Sequence, residues 1–85
     1  MRNVLLIDDD VELGNLLRDF LARYEITCQC AHTGQAGLRL VRENRLEKSP
    51  ELIILDIMLP DISGFDLCQN IRRESSLPII SKQVR

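Results

Sequence analysis

The chain has 85 residues, 45% of them apolar and 28% charged. That is the composition of one folded domain, and it excludes a disordered tail or a collagen-like fibre. Eleven basic residues against thirteen acidic ones leave a net charge of −2 with no basic block, so direct nucleic-acid binding by this chain is not expected.

The four apolar residues Val4-Leu5-Leu6-Ile7 are too few for a helix and apolar on both faces, which is the pattern of a buried parallel strand. The run stops at Asp8-Asp9-Asp10. Leu13, Leu16, Leu17, Phe20, Leu21 and Tyr24 then recur at spacings of three and four, the pattern of an amphipathic helix, with Asp10 or a neighbour placed to cap it. Ile26 to Cys30 reads as a second strand. Thr33-Gly34 offers a cap and turn before a helical stretch reaching about Leu46, with a face of Ala36, Leu40 and Val41. The polar segment from Glu47 to Pro50 stops that helix.

Leu52-Ile53-Ile54-Leu55 repeats the four-residue apolar pattern and again ends in an aspartate, Asp56. The loop that follows finishes at Ser63, where S-x-x-D with Asp66 forms a capping box for a helix carrying Leu67, Cys68 and Ile71. Arg72 and Arg73 suit the C-terminal end of that helix dipole, and Pro78-Ile79-Ile80 opens a fourth extended segment. Neither apolar run approaches the ~20 residues of a membrane span. Met1 leads into acidic sequence and not into a signal peptide, so a cytoplasmic location without membrane contact is expected. The three cysteines agree with a reducing compartment: Cys28 and Cys30 are too close along one strand for an ordinary disulfide. Cys28-x-Cys30-x-His32 lacks the paired spacing of a zinc motif and reads as small core or surface residues.

Strand and helix alternate as βαβαβαβ, which gives an α/β parallel sheet with helices on both faces and a ligand site beyond the carboxyl ends of the strands. Asp8, Asp9, Asp10 and Asp56 all fall at those ends. Clustered carboxylates recruit a cation, and oxygen donors with few neutral partners suit Mg²⁺ and phosphoryl chemistry. A plainer alternative has Asp8 to Asp10 capping the first helix while Asp56 starts a turn.

The strand Val4–Ile7 running into Asp8-Asp9-Asp10, the segment Leu55-Asp56-Ile57-Met58-Leu59-Pro60 with Gly64 beyond, and Leu77-Pro78-Ile79-Ile80 together resemble the receiver domain of bacterial two-component response regulators over residues 1 to 80. The resemblance implies a flavodoxin-like sheet of strand order 2-1-3-4-5. It makes Asp56 the phosphoacceptor, supplied by a histidine kinase. Asp8 and Asp9 become the acidic Mg²⁺ pair, and Met58 a metal ligand through its backbone carbonyl. Pro60 and Gly64 shape the loop, Gly64 by allowing a backbone conformation that other residues resist. Such a domain is a phosphoacceptor able to catalyse its own phosphorylation and dephosphorylation, not an enzyme acting on other substrates.

The family continues its fourth strand into a switch Ser or Thr and later places a lysine after a fifth strand. Here Ser81-Lys82-Gln83-Val84-Arg85 ends the sequence, with Gln83 at the switch position. Residues 1–85 are therefore expected to form a C-terminally truncated receiver lacking the fifth strand and the fourth and fifth helices, with impaired phosphotransfer. Apolar side chains of strands one and three would be uncovered, favouring self-association. Two alternatives stand beside it. One is a non-catalytic pseudo-receiver that only binds a partner. The other is a haloacid-dehalogenase-type phosphatase fragment, which Leu6-Ile7-Asp8-Asp9-Asp10-Val11 resembles, with Asp8 as nucleophile and Asp10 as acid/base; 85 residues leave little room for the remainder of that domain.

Overall fold

Two strands apolar at consecutive positions can be stable only where both of their faces are covered, which places them at the centre of a sheet. The computed structural model, which describes residues 2–42 and 50–82, puts them there. β1 (Arg2–Ile7) and β3 (Leu52–Asp56) are neighbours, flanked by β2 (Ile26–Ala31) and β4 (Ile79–Lys82) in the order β2-β1-β3-β4. All three pairings are parallel, with Val4 opposite Cys28 and Leu52, and Ile53 opposite Ile79. Three helices make the crossovers: α1 (Val11–Ala22), α2 (Gly34–Arg42) and α3 (Gly64–Glu74). This is the parallel α/β sheet expected from the alternation. The continuation of the second helix to Leu46, and the stop at residues 47 to 49, lie outside the described residues.

Side-chain alternation sorts the strands into two faces. Leu5, Ile7, Ala31, Ile53 and Leu55 point toward α2 and α3, where they join Leu38, Leu67 and Ile71 in the main buried cluster. Gly34, Gly37 and Leu38 of α2 are buried, and the expected Leu40 and Val41 pack half-buried against the same cluster, while the expected Ala36 is exposed. Gly37 takes the inward place because α2 lies closely on the sheet: a Cβ there would sit 2.5 Å from Ile7 Cδ1, so the bare side of the helix faces the strand. Leu67, Cys68 and Ile71 of α3 face inward as expected.

The other sheet face is covered by α1, which packs on β2 at the edge. There the Cys30 thiol donates to the Gly14 carbonyl at 3.7 Å. Because α1 is seated on the edge strand, its apolar stripe turns only partly inward: Leu13, Leu17 and Leu21 are half-buried, whereas Leu16 (69% exposed), Phe20 (51%) and Tyr24 face outward. Of the strand residues on this face, Leu6 is buried, Val4, Leu52 and Ile54 are half-buried, and Ile80 is exposed. The expected uncovering of strands one and three is thus partial, and the larger apolar exposure lies on α1 and β4. An open groove of about 550 Å³ runs along α1 between Leu13, Leu16, Leu17 and Phe20, with Asp19 and Arg23 on its rim.

The connections that set the strand ends are tied down by short polar bonds. The Asp66 N–H donates to Ser63 Oγ at 3.2 Å, the capping bond anticipated from S-x-x-D. The Arg72 guanidinium donates to the carbonyls of Ser75 and Leu77 and so closes the turn into β4. Among the described residues no helix is long and apolar enough to cross a membrane.

Candidate functional site

In a parallel sheet every strand ends on the same edge, so β1 and β3, being neighbours, deliver the residues that follow them to one place. Asp8 and Asp56 arrive there 1% exposed each, and Asp9 joins them from the surface side. One ligand atom from each of Asp8, Asp9 and Asp56 can lie within 4.8 Å of the others, the only such acidic or metal-ligating group of three among the described residues. Of the carboxylates at the strand ends, Asp10 stands apart from that group. It is the N-cap of α1, its Oδ1 accepting the Leu13 N–H at 3.0 Å. The plainer alternative holds for Asp10 as a cap and for Asp56 as the start of a turn, but the grouping of Asp8, Asp9 and Asp56 is more than either role requires.

Local backbone bonds fix how the two buried carboxylates are turned. Asp8 Oδ1 accepts the Asp10 N–H at 2.9 Å, and Asp56 Oδ1 accepts the Met58 N–H at 3.0 Å. Each is an aspartate bonding two residues ahead, a turn this side chain favours, and each locks the carboxylate in one rotation at its strand end. Three carboxylates so close, two of them buried, form a hard, anionic oxygen set of the kind that holds Mg²⁺ with one or two carboxylates plus water. The donor set fits that ion.

Met58 lies two residues beyond Asp56 with its backbone beside the carboxylate and its side chain largely in solvent. The loop folds back on itself: Met58 bridges to Ser63, and the Gly64 N–H donates to the Ile57 carbonyl at 2.9 Å. Leu59 is buried beneath this loop and Pro60 is exposed on it. Gly64 is required for a reason other than the expected one. Its φ is not positive, but a Cβ there would stand 2.3 Å from Ile57 Cα, so the loop closes only over a residue without a side chain. Lys82 is the ladder partner of Asp56 across β3 and β4; Gln83 lies outside the described residues.

Two residues that the sequence reading did not assign to the site bond to the segments around it. The His32 Nδ1 lies 3.1 Å from the Asp8 carbonyl, and since a carbonyl only accepts, the Nδ1 carries the proton. Asp61 reaches from the loop after Asp56 to the first turn of α2, its two oxygens accepting the Gly34 and Gln35 N–H groups at 2.9 and 2.8 Å. Desolvation pushes the Asp61 carboxyl up, but the amides of Gln35, Gly34, Asp61 and Ile62 together outweigh it and hold its pKa below the ordinary carboxylate value. Nothing in local sequence marks Asp61 as a cap, because it lies 27 residues from the helix end it serves. Cys28, Cys30 and Cys68 are free thiols, and among the described residues Cys28, Cys30 and His32 do not form a ligand cluster.

Comparison with known proteins places these features in a family. A family model described as the response regulator receiver domain matches residues 4–82. The transcriptional regulatory protein AfsQ1 of Streptomyces coelicolor is 45% identical over 80 residues, spanning 94% of this chain and 34% of that protein. The response regulator ArlR of Staphylococcus haemolyticus is 38% identical over 80 residues, or 94% of this chain and 35% of that protein. The chain thus spans about a third of the length of these curated relatives. Among solved structures, the non-phosphorylated receiver domain of HemR from Leptospira biflexa superposes with a TM-score of 0.79 at 30% identity, covering 95% of this chain and 63% of that one. A structure of the histidine kinase ThkA in complex with the response regulator TrrA matches with a TM-score of 0.79 at 28% identity, covering 95% and 67%.

Proposed function

Because the chain belongs to the response regulator receiver domain family, we propose that it accepts a phosphoryl group on Asp56 from a histidine kinase. The observation that carries this reading is the grouping of Asp8, Asp9 and Asp56 at the ends of two adjacent strands. Asp56 attacks phosphorus with a carboxylate oxygen. The phosphorus–nitrogen bond of the donor phosphohistidine breaks as the new phosphorus–oxygen bond forms, and the departing imidazole nitrogen keeps the electron pair and takes a proton from water. The product is an acyl phosphate. Asp56 is the acceptor because it stands alone after β3, while the adjacent Asp8 and Asp9 are placed to share a cation.

Asp8, Asp9 and Asp56, with the Met58 backbone carbonyl, would hold Mg²⁺, which neutralises charge on the transferring phosphoryl oxygens. The Met58 N–H holds the Asp56 carboxylate in one rotation, so the nucleophile is oriented before the donor arrives. Pro60 and Gly64 shape the loop that carries Met58. The residues themselves act as phosphoacceptor and metal holder in a cytoplasmic signalling domain.

Borohydride trapping of the acyl phosphate followed by mass spectrometry tests the assignment. Label is expected on Asp56, formed from a phosphorylated kinase or a small phosphodonor and absent from Asp56→Asn. Label on Asp8 would replace this reading with the phosphatase alternative, and a failure to label or to bind beryllofluoride in the presence of Mg²⁺ would leave the non-catalytic interaction module.

A second partner is suggested by the exposed Leu16 and Phe20 beside the groove on α1. A second copy of this chain would cover these apolar side chains.

A further inference from the structure

We infer that Asp61 is a positioning residue that clamps the loop after Asp56 to the turn between β2 and α2, and so sets where the Met58 backbone stands against the acidic pocket. The inference rests on the reading of Asp8, Asp9 and Asp56 as a Mg²⁺ and phosphoryl site.

The first amides of a helix have no partner within it and must find one elsewhere. In α2 they are divided between two sources. Thr33 Oγ1 accepts the Ala36 N–H at 3.0 Å from within the same segment, while Asp61 accepts the Gly34 and Gln35 N–H groups with its two oxygens. The helix end thus takes two of its bonds from a loop distant in sequence. Packing reinforces the contact: a Cβ at Gly34 would lie 2.1 Å from Ile62 Cγ2, so the loop presses directly against the first turn of α2.

The turn grasped by Asp61 is also attached to the opposite arm of the pocket. The Asp8 N–H donates to the Ala31 carbonyl at 3.0 Å, and His32 Nδ1 donates to the Asp8 carbonyl at 3.1 Å. Residues 31 to 35 therefore hold the end of β1 on one side and, through Asp61, the loop after β3 on the other. Asp8 and Asp9 belong to the first arm. Asp56 belongs to the second, where Met58 donates to Asp56 and the loop from Ile57 to Gly64 is closed upon itself. Asp56 itself is held in β3 beside β1, so movement of Asp61 away from α2 would shift this closed loop, and with it the Met58 backbone, relative to Asp8 and Asp56. An outer partner of this sort acts on metal affinity by orienting the ligands, without touching the ion.

The test compares Asp61→Ala, Asp61→Asn and Thr33→Ala with the parent chain. Thr33→Ala removes a bond from the same helix end but none to the loop. Mg²⁺ affinity is read by NMR titration of the unphosphorylated protein, thermal stability by circular dichroism, and labelling of Asp56 by a small phosphodonor. The expected result is about 10-fold weaker Mg²⁺ binding in Asp61→Ala, with an intermediate loss in Asp61→Asn, which keeps one acceptor oxygen. Thr33→Ala is expected to lose stability and keep the parent affinity. Parent-like Mg²⁺ affinity in both Asp61 variants, or an equal loss in Thr33→Ala, overturns the inference while leaving the site intact. Should Asp61→Ala fail to fold, Asp61→Asn against Thr33→Ala decides. If Asp56→Asn and Asp9→Ala bind Mg²⁺ as the parent does, the underlying reading of the site fails instead, and the inference with it.

Discussion

The Gly64 N–H donates to the Ile57 carbonyl at 2.9 Å, and a Cβ on Gly64 would stand 2.3 Å from the Ile57 Cα. The obstacle is backbone, which cannot swing aside as a flexible side chain can. Gly64→Ala should therefore cost about 1–3 kcal/mol, the range for overpacking, and displace the loop that bears Met58. Denaturant melts measure the first effect and Mg²⁺ titration the second. A variant as stable as the parent would mean that the loop opens without penalty.

Mg²⁺ should raise the melting temperature of the parent protein, because an ion that binds only the folded state stabilises it by mass action. At tenfold excess over the dissociation constant that amounts to about 1.4 kcal/mol. Asp9→Ala should lose most of this shift while folding normally, since Asp9 is the exposed member of the group and contributes little to the core. A full Mg²⁺ shift in Asp9→Ala would remove Asp9 from the ligand set.

Burial pushes the Cys28 thiol up to about 12, assisted by the neighbouring Cys30 thiol. The thiolate is the reactive form, so iodoacetamide at pH 8 should modify Cys68 and Cys30 well before Cys28, which becomes accessible only in denaturant. The raised value also has a consequence for stability. The folded chain holds the proton longer than the unfolded chain, so the contribution is complete below the ordinary thiol value of 9.0 and is lost as pH rises from there through about 12. Cys28→Ser should alter the alkaline limb of the stability profile; an unchanged limb would assign it to another group.

Asp61 titrates in the opposite sense. Its carboxyl is held below the ordinary value, so the stability it contributes is present above that value and fades as pH falls through the lowered one. Acid melts of the parent and Asp61→Asn should converge at the low end and separate toward neutral pH. The side chain is mostly in solvent, so the difference is expected to be small and to shrink with added salt.

Leu16 and Phe20 lie outward on α1 and, with Ile80 on β4, leave apolar surface open. Sedimentation at several concentrations should show reversible self-association that Phe20→Ser or Leu16→Glu abolishes without lowering the melting temperature, because neither side chain is in the core. A concentration-independent monomer would show that the described face needs no second copy.

Much of this protein is legible in its primary structure, because a buried parallel strand must be apolar on both faces and four consecutive residues suffice to show it. The two runs Val4–Ile7 and Leu52–Leu55, each ending in aspartate, already imply adjacent strands whose ends meet, and the Ser63 cap follows from residues three apart. Other features depend on contacts between distant segments, which no local pattern carries. The stripe on α1 predicts a buried face, yet the seating of Gly14 against Cys30 at the sheet edge turns Leu16 and Phe20 outward. Gly64 is recognisable as a special position, but whether it serves a torsion angle or a close approach is decided by where Ile57 passes. Asp61 looks like an ordinary loop residue until folding brings the start of α2 within 3 Å of its carboxylate. Periodicity encodes which side of an element seeks burial. Only the packed chain determines which neighbour provides it.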